Sequence, residues 1–253
     1  MSPARSIKPP GAFLLALEGR APWELGAAIA AFPLLRFMPR GDGHAVVVFP
    51  GLATPDLSTL PLRVFLATSG YKPHGWDQRF NFGPRAGVLE RSVERVREVR
   101  RATGRKVSLV GWSLGGVFAR EIAKIVPEDM RCVITLGSPF TGHPRANHAW
   151  RVYEFASGHS LDNVTHIAGV HQAPPVPTTS IFSRTDGIVA WPCCVQPRGD
   201  LAESIEVTAS HIGMGMNPVT WYAIADRLAQ PQGRWEPFHR EGWRKHVFND
   251  PYQ

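Results

Sequence analysis

Short apolar runs alternate with segments of helical periodicity along most of the chain. The run Ala45–Val–Val–Val–Phe49 is apolar throughout, which is typical of a parallel strand covered on both faces. The patterns predict strands at 45–49, 71–76, 106–110, 132–136, 179–183 and 205–208, and helices at 60–68, 88–102, 114–126 and 218–228. This alternation predicts an α/β fold with a doubly wound, mostly parallel sheet and right-handed crossovers.

One stretch interrupts the alternation. Residues 138–177 lack strong periodicity and are rich in His, Pro, Gly and Asn. The stretch follows the strand at 132–136, so an insertion there lies over the carboxyl ends of the strands, where such sheets hold their binding sites. We expect a cap or lid of about forty residues inside a single domain that spans 1–253.

A candidate nucleophile stands where the strand at 106–110 meets the next helix. The sequence there is Gly111–Trp–Ser113–Leu–Gly115. A serine hydroxyl is a weak nucleophile at its ordinary pKa, so it must be held exposed beside a base. A sharp strand-to-helix turn does this, and the crowded turn requires small residues on both sides of the serine. Ser113 is therefore the candidate nucleophile; the alternative is a glycine-rich structural turn that contains a serine.

An acid and a base for this serine follow it in the chain. Asp186 comes after the strand at 179–183, and His211 after the strand at 205–208. Both positions lie at carboxyl ends of strands, the edge that also carries Ser113. The imidazole would take the hydroxyl proton, and the carboxylate would orient and stabilise it. The simpler alternatives are an Asp-Gly turn and a surface histidine.

Backbone N–H groups would stabilise the oxyanion of a tetrahedral intermediate. The Leu114 amide directly follows the candidate nucleophile and is one expected donor. The second is expected in the loop after the strand at 45–49, where Gly51 allows close approach and we assign the Leu52 amide. The alternative is that the loop simply ends a strand.

These motifs make the chain similar to the α/β-hydrolase superfamily, in its lipase and esterase branch. They extend over roughly residues 44–230. The resemblance implies an eight-stranded, mostly parallel sheet and serine-dependent hydrolysis of carboxylic esters, including lipids, through an acyl-enzyme. Lipases often carry a His-Gly pair before the oxyanion loop. The chain departs from this pattern, because the residue before Gly51 is Pro50. Acyl transfer, thioester hydrolysis and a non-catalytic lipid-binding role are alternatives for the same fold.

The side chains of the cap leave further interpretations open. Its aromatic residues Phe140, Trp150 and Tyr153, with Trp112 at the turn, either line an acyl pocket or anchor the cap on the core. The cap also holds five histidines whose spacing matches no compact metal motif. We therefore predict no metal and no cofactor. These histidines are His143, His148, His159, His166 and His171.

Charge narrows the range of partners. The chain has 28 Lys and Arg against 21 Asp and Glu, a net charge of +7. The basic residues at 91–105 alternate with glutamates as on a solvated helix face, and no recognition module accompanies them, so we expect no nucleic-acid binding. Attraction to anionic membrane surfaces or acidic substrates stays open. The three cysteines form no disulfide framework, and we expect reduced thiols and a cytoplasmic location.

The first forty residues bear on membrane contact. No segment reaches the ~18 continuous apolar residues of a membrane span, and the apolar run at 12–17 lacks a signal-peptide cleavage site. The segment 21–35 is either a helix packed on the domain, which we favour, or a helix that lies on a membrane surface. Peripheral membrane contact therefore stays open, and the sequence gives no indication of oligomeric state.

Overall fold

The computed structural model describes residues 7–142, 146–148 and 169–253, and its centre is one sheet of six parallel strands in the order β2-β1-β3-β4-β5-β6. The strands are β1 (Ala45–Phe49), β2 (Lys72–Gly75), β3 (Val107–Trp112), β4 (Met130–Leu136), β5 (Thr178–Phe182) and β6 (Ala202–Glu206). The described helices are α1 (Ala12–Leu17), α2 (Ala21–Ala31), α3 (Leu60–Thr68), α4 (Val88–Thr103), α5 (Leu114–Ile125) and α6 (Pro218–Leu228). The predicted α/β fold is confirmed, with six strands among the described residues where the resemblance implied eight.

Helices cover both faces of the sheet, as the continuous apolar character of β1 predicts. Val46 and Val48 point into a core shared with α3 and α6. Ala45, Val47 and Phe49, which alternate with them, point into a second core shared with α4 and α5. Every residue of β1 is buried for this reason. Because all six strands are parallel, their carboxyl ends lie at a single edge of the sheet.

The last strand, β6, begins three residues before the predicted range of 205–208. Glu203 hides the start of the strand from the apolar pattern, because this charged residue is buried rather than exposed. Glu206, which lies inside the predicted range, is buried as well. Arg227 binds Glu203 at 2.9 Å, and Arg184 binds Glu206 at 2.8 Å. A buried strand that carries paired charges does not show the apolar pattern by which strands are recognised.

The segment before β1 folds over the domain. The predicted helix at 21–35 is α2 followed by a 3₁₀ helix at Phe32–Phe37. Ala28 and Leu35 are buried in the core that contains α3 and α6, which agrees with the favoured interpretation of packing. Among the described residues, no helix is both long and apolar enough to cross a membrane.

Most of the predicted cap, 138–177, lies outside the described residues. Its last part, 169–177, leads into β5 and is held by Arg120 of α5. The buried guanidinium donates to the Gln172 carbonyl and to Gln196 Oε1, both at 2.9 Å. It also lies over the ring of Phe140, 3.9 Å from the ring centroid. Burial lowers the pKa of Arg120 to about 10, so the group stays charged at neutral pH.

We expect Arg120→Met to lower the free energy of unfolding by about 2–4 kcal/mol, because buried carbonyls lose their donor. Urea denaturation measures the change. Arg97→Met, on the exposed side of α4, is the matched control and should change stability by less than about 0.5 kcal/mol. Equal stability of the two variants would show that the guanidinium does not hold this segment.

Candidate active site

Ser113 lies at a sharp turn between the end of β3 and the start of α5. Its backbone has φ 53° and ψ −123°, a conformation that costs a non-glycine residue about 1–3 kcal/mol. The Ser113 amide donates to the Leu136 carbonyl at 2.8 Å, which holds the turn against the end of β4. The serine is only half-buried, so its side chain is available at the carboxyl edge of the sheet.

Three glycines allow the turn to pack so closely. A Cβ atom on Gly115 would lie 2.6 Å from the Pro50 carbonyl oxygen, and one on Gly116 would lie 2.9 Å from Ser138 Cβ. A Cβ on Gly111 would collide with the backbone of Gly116. The first turn of α5 is therefore pressed against β3 and the loop after β1, which is the steric reason for small residues around this serine.

Asp186 and His211 meet at the same edge. The Asp186 Oδ2 atom lies 2.6 Å from His211 Nδ1, and both side chains are buried. The Oδ1 atom accepts hydrogen bonds from the amides of Ile188 and Val189 at 2.8 and 2.7 Å, which fixes the orientation of the carboxylate. Burial acts to lower the pKa of His211, but the charge and hydrogen bond of Asp186, with the charge of Glu18, outweigh it and raise the pKa above its ordinary value.

The turn and the histidine are linked through Trp112. The Trp112 indole donates to the His211 carbonyl at 3.0 Å, and the two ring centroids are 6.4 Å apart. Gly137, with φ 56°, follows Leu136, and a Cβ on Gly137 would lie 3.1 Å from His211 Nδ1. The structure thus joins Asp186 to His211 and brings Ser113 to their edge. Within the described chain, no hydrogen bond joins the serine hydroxyl to the imidazole.

The loop after β1 lies beside the serine. A Cβ on Gly51 would be 3.5 Å from Ser113 Cβ. The Leu52 and Leu114 amides have no acceptor in the part of the chain that the structure describes, so both can donate to a bound anion. Ala53 has φ 55°, a strained value for a residue with a side chain, and this bends the loop around the Leu52 amide.

Asn81 holds this loop, and no sequence pattern indicated it. The fully buried Asn81 side chain donates to the Pro50 carbonyl at 2.8 Å. The backbone carbonyl of Asn81 accepts the Ala53 amide at 2.7 Å, and the backbone amide of Asn81 donates to the Thr54 carbonyl at 3.0 Å. These bonds fix the backbone on both sides of Leu52. Asn81 lies in a segment without periodicity, so its contacts have no sequence signature.

A buried carboxylate from the start of the chain holds the loops of the acid and the histidine together. Glu18 accepts three backbone N–H groups: Gly187 at 2.7 Å, and His211 and Ile212 at 2.9 Å each. The first follows Asp186, and the other two belong to the loop after β6. One side chain therefore fixes the separation of the two loops that form the Asp186–His211 pair.

Two neighbouring residues extend this contact. Glu24 accepts the Ser210 amide at 2.7 Å and the Ser210 hydroxyl at 2.9 Å. Arg20 donates to the Thr185 hydroxyl at 2.7 Å and binds Glu24 at 3.1 Å. We name Glu18, Arg20 and Glu24 the N-terminal clamp. In the sequence, the only trace of the clamp is charge within an otherwise apolar segment.

Glycines in both loops make room for the clamp. A Cβ on Gly187 would collide with the Leu14 carbonyl, and a Cβ on Gly213 would collide with the Glu24 carboxylate. The φ of Gly187 is not positive, and what this glycine allows is the close approach of the α1 backbone.

Of the four predicted pocket residues, two lie in described parts of the chain. Trp112 is half-buried beside His211. Phe140 is buried beneath Arg120, a position that favours the anchoring interpretation over an open pocket. Trp150 and Tyr153 lie outside the described residues.

Of the five cap histidines that bear on metal binding, the structure describes two. The described residues hold no group of three or more His, Cys, Asp or Glu side chains placed to bind a metal ion. Three of the five cap histidines, His143, His159 and His166, lie outside those residues. His148 and His171 are described, and His148 Nε2 lies 2.7 Å from the Pro10 carbonyl oxygen.

A second serine, histidine and aspartate form a hydrogen-bonded chain at the opposite edge of the sheet. His44 Nδ1 lies 2.6 Å from Asp42 Oδ1, and His44 Nε2 lies 2.8 Å from Ser108 Oγ. Burial lowers the pKa of His44, and the charge of Arg131 acts in the same direction. Ser108 is inside β3 and fully buried, so no substrate can reach its hydroxyl. This chain joins β1 to β3 and is structural.

Comparison with known proteins gives relatives by structure alone. No family model and no curated protein match the sequence. Lipase B of Aspergillus fumigatus has a TM-score of 0.59 at 18% identity, with 74% of this chain and 52% of that chain covered. The chain thus spans about half the length of that lipase.

Three further solved structures match over most of their own length. Bacillus licheniformis lipase BlEst2 has a TM-score of 0.57 at 15% identity, with 76% of this chain and 92% of that chain covered. The Paleococcus ferrophilus monoacylglycerol lipase has a TM-score of 0.54 at 16% identity, with coverage of 73% and 93%. An Oenococcus oeni hydrolase of the alpha/beta superfamily also matches, with a TM-score of 0.54 at 15% identity. The α/β-hydrolase resemblance is thereby confirmed at the level of the fold.

We expect Glu18→Gln to lower the pKa of His211, because a carboxylate that stabilises the imidazolium is replaced by a neutral amide. NMR titration of the imidazole measures the change without any substrate. Glu203→Gln is the matched control: Glu203 is also buried and accepts a backbone amide, from Phe238 at 2.7 Å, but lies beside Arg227. Both variants should lose about 1–3 kcal/mol of stability, and only the first should move the titration. An unmoved His211 pKa in Glu18→Gln would contradict the electrostatic role of the clamp.

Proposed function

We propose that the protein is a serine hydrolase that cleaves carboxylic esters through an acyl-enzyme. One observation carries the proposal: the 2.6 Å hydrogen bond between Asp186 and His211 lies at the edge where the strained turn presents Ser113. Two backbone amides without acceptors, those of Leu52 and Leu114, lie at the same turn. The lipase names of the structural relatives support an ester of lipid character as the substrate.

In the acylation step, each group of the candidate site has its own role. Ser113 Oγ attacks the carbonyl carbon while His211 Nε2 takes the hydroxyl proton. The Asp186 carboxylate stabilises the imidazolium that forms, and its hydrogen bond to Nδ1 leaves Nε2 as the nitrogen that accepts the serine proton. The Leu52 and Leu114 amides donate to the oxyanion. Collapse of the tetrahedral intermediate breaks the ester bond, and His211 gives its proton to the leaving alkoxide.

Deacylation repeats these steps with water. His211 removes a proton from water, the hydroxide attacks the acyl carbon, and the same amides hold the second oxyanion. The proton then returns from His211 to Ser113 Oγ as the carboxylic acid leaves. The amino-acid side chains and water supply every proton and electron pair in the cycle, so the proposed reaction needs no cofactor.

We place this activity in the cytoplasm, within one domain whose cap borders the substrate site. The three cysteines support a reducing compartment, because Cys132, Cys193 and Cys194 are free and buried. Burial raises the pKa of Cys193 to about 11, so this thiol is unreactive at neutral pH.

Ser113→Ala should lower kcat for p-nitrophenyl esters by ~10⁴ to 10⁶, because the nucleophile is lost. A panel of acyl chain lengths, assayed with both proteins, measures the loss and gives the chain-length preference. Ser108→Ala is the matched control: it removes the hydroxyl of the buried chain at the other edge and should leave kcat unchanged. A fluorophosphonate probe should label Ser113 in the wild type. Undiminished hydrolysis by Ser113→Ala would disprove the assignment.

The activity should decline on the acid side with a midpoint above the 6.5 of an ordinary imidazole, because only neutral His211 accepts the serine proton and its pKa is raised. The pH profile of kcat/KM for p-nitrophenyl acetate gives this midpoint for the free enzyme. Activity that is constant through this range would mean that His211 is not the base.

A further inference from the structure

The N-terminal segment presents an apolar surface to solvent. Between Gly11 and Phe37, every exposed residue other than Arg36 is apolar or glycine. The large side chains are strongly exposed: Trp23 by 78%, Phe13 by 75% and Phe37 by 72%. We name the following residues the outer face: Phe13, Leu15, Trp23, Ile29, Phe32, Leu34 and Phe37.

Apart from Arg36, the polar side chains of the same segment point inward. Glu18 is buried, and Glu24 and Arg20 bond to the loops that follow β6 and β5. A surface helix of a globular protein has the reverse arrangement, with its apolar side toward the core. The outer face is therefore apolar because Glu18, Arg20 and Glu24 turn toward the protein and bond to its loops. An apolar patch of this extent marks an interaction site.

The charged residues around the outer face indicate which kind of partner it binds. Between residues 7 and 41, the exposed charged residues are Lys8, Arg36 and Arg40, and all three are basic. The Arg36 guanidinium lies over the ring of Phe37, 4.8 Å from its centroid. Aromatic and aliphatic side chains bordered by basic ones are typical of helices that lie in the interface of an anionic membrane.

A second copy of the chain fits this surface less well. In a two-fold symmetric contact the same patch faces itself. Arg36 and Arg40 would then approach a patch that offers no exposed acidic residue between positions 7 and 41 to pair with them. An anionic lipid surface supplies both the apolar depth and the negative charge.

We infer that the outer face docks the protein on an anionic lipid surface, with the α1–α2 segment lying in the headgroup region. The inference does not rest on the proposed function, because docking requires no turnover. Docking would nevertheless bring the candidate active site close to the lipid. Ile212, next to His211, is 42% exposed and is bonded through its amide to Glu18 of the docking segment. A docked molecule would hold this edge of the sheet beside the lipid.

Sedimentation with vesicles tests the inference. The full chain is mixed with vesicles of ether-linked phosphatidylcholine, alone or equimolar with ether-linked phosphatidylserine, so that an esterase leaves the lipid intact. We expect sedimentation with the anionic vesicles, little with the neutral ones, and release by salt. Failure of the wild-type protein to bind the anionic vesicles would overturn the inference, whatever its activity toward esters.

Matched variants locate the surface. Trp23→Ser and Ile29→Ser should each weaken vesicle binding by about tenfold, because each removes apolar area from the lipid. Ile125→Ser, which changes an isoleucine that is 49% exposed at the end of α5, should leave binding unchanged. Wild-type affinity in both outer-face variants would overturn the inference.

Charge reversal provides a test that leaves the apolar side chains in place. The double variant Arg36→Glu, Arg40→Glu should weaken binding to anionic vesicles by about thirtyfold or more, since each basic residue near such a surface contributes a factor of about five. Sedimentation velocity without lipid tests whether a second copy of the chain binds the outer face instead. A dimer that Trp23→Ser dissociates, together with vesicle binding that charge reversal does not change, would assign the outer face to a second copy of the chain.

Discussion

A carboxylate removed from water must find hydrogen-bond donors inside the protein, and this requirement organises the carboxyl edge of the sheet. Glu18 finds its donors in the backbone after Asp186 and at His211, so the two loops cannot separate without leaving a buried charge unpaired. The 2.6 Å contact between Asp186 and His211 therefore depends on a segment that lies far from both in sequence. The apolar outer face is the reverse side of the same segment.

The regular elements could be predicted because their signal is local. The apolar run of β1 and the helical spacing of α5 occur within a few residues, and the turn at Ser113 lies between two such patterns. The predicted start of β6 was wrong by three residues, because Glu203 is buried beside Arg227, a partner that no local pattern indicates. Glu18 and Asn81 were not found at all. Their hydrogen bonds join residues that are distant in sequence, and single-sequence patterns carry no information on such pairs.

Two sets of serine, histidine and aspartate lie at opposite edges of one sheet, and they differ in access and in backbone geometry. The set at Ser108 has the complete chain of hydrogen bonds but is enclosed within a strand. The set at Ser113 lacks the bond from serine to histidine, but it has a strained, half-exposed turn and two amides without acceptors. Access and backbone geometry are the stronger indications of chemistry, since the side-chain contacts alone would favour Ser108, whose hydroxyl is enclosed in β3.

The clamp also has a consequence for the order in which the chain can fold. Glu18 leaves the ribosome well before its partners at Gly187, His211 and Ile212, which are synthesised 169, 193 and 194 residues later. Until then the segment has neither its polar contacts nor the core that receives Ala28, and its aromatic side chains are exposed on an incomplete chain. Contacts of such long range form late and leave apolar surface open to aggregation. During synthesis this segment therefore keeps its apolar side chains open to aggregation until residues 187–212 have been made.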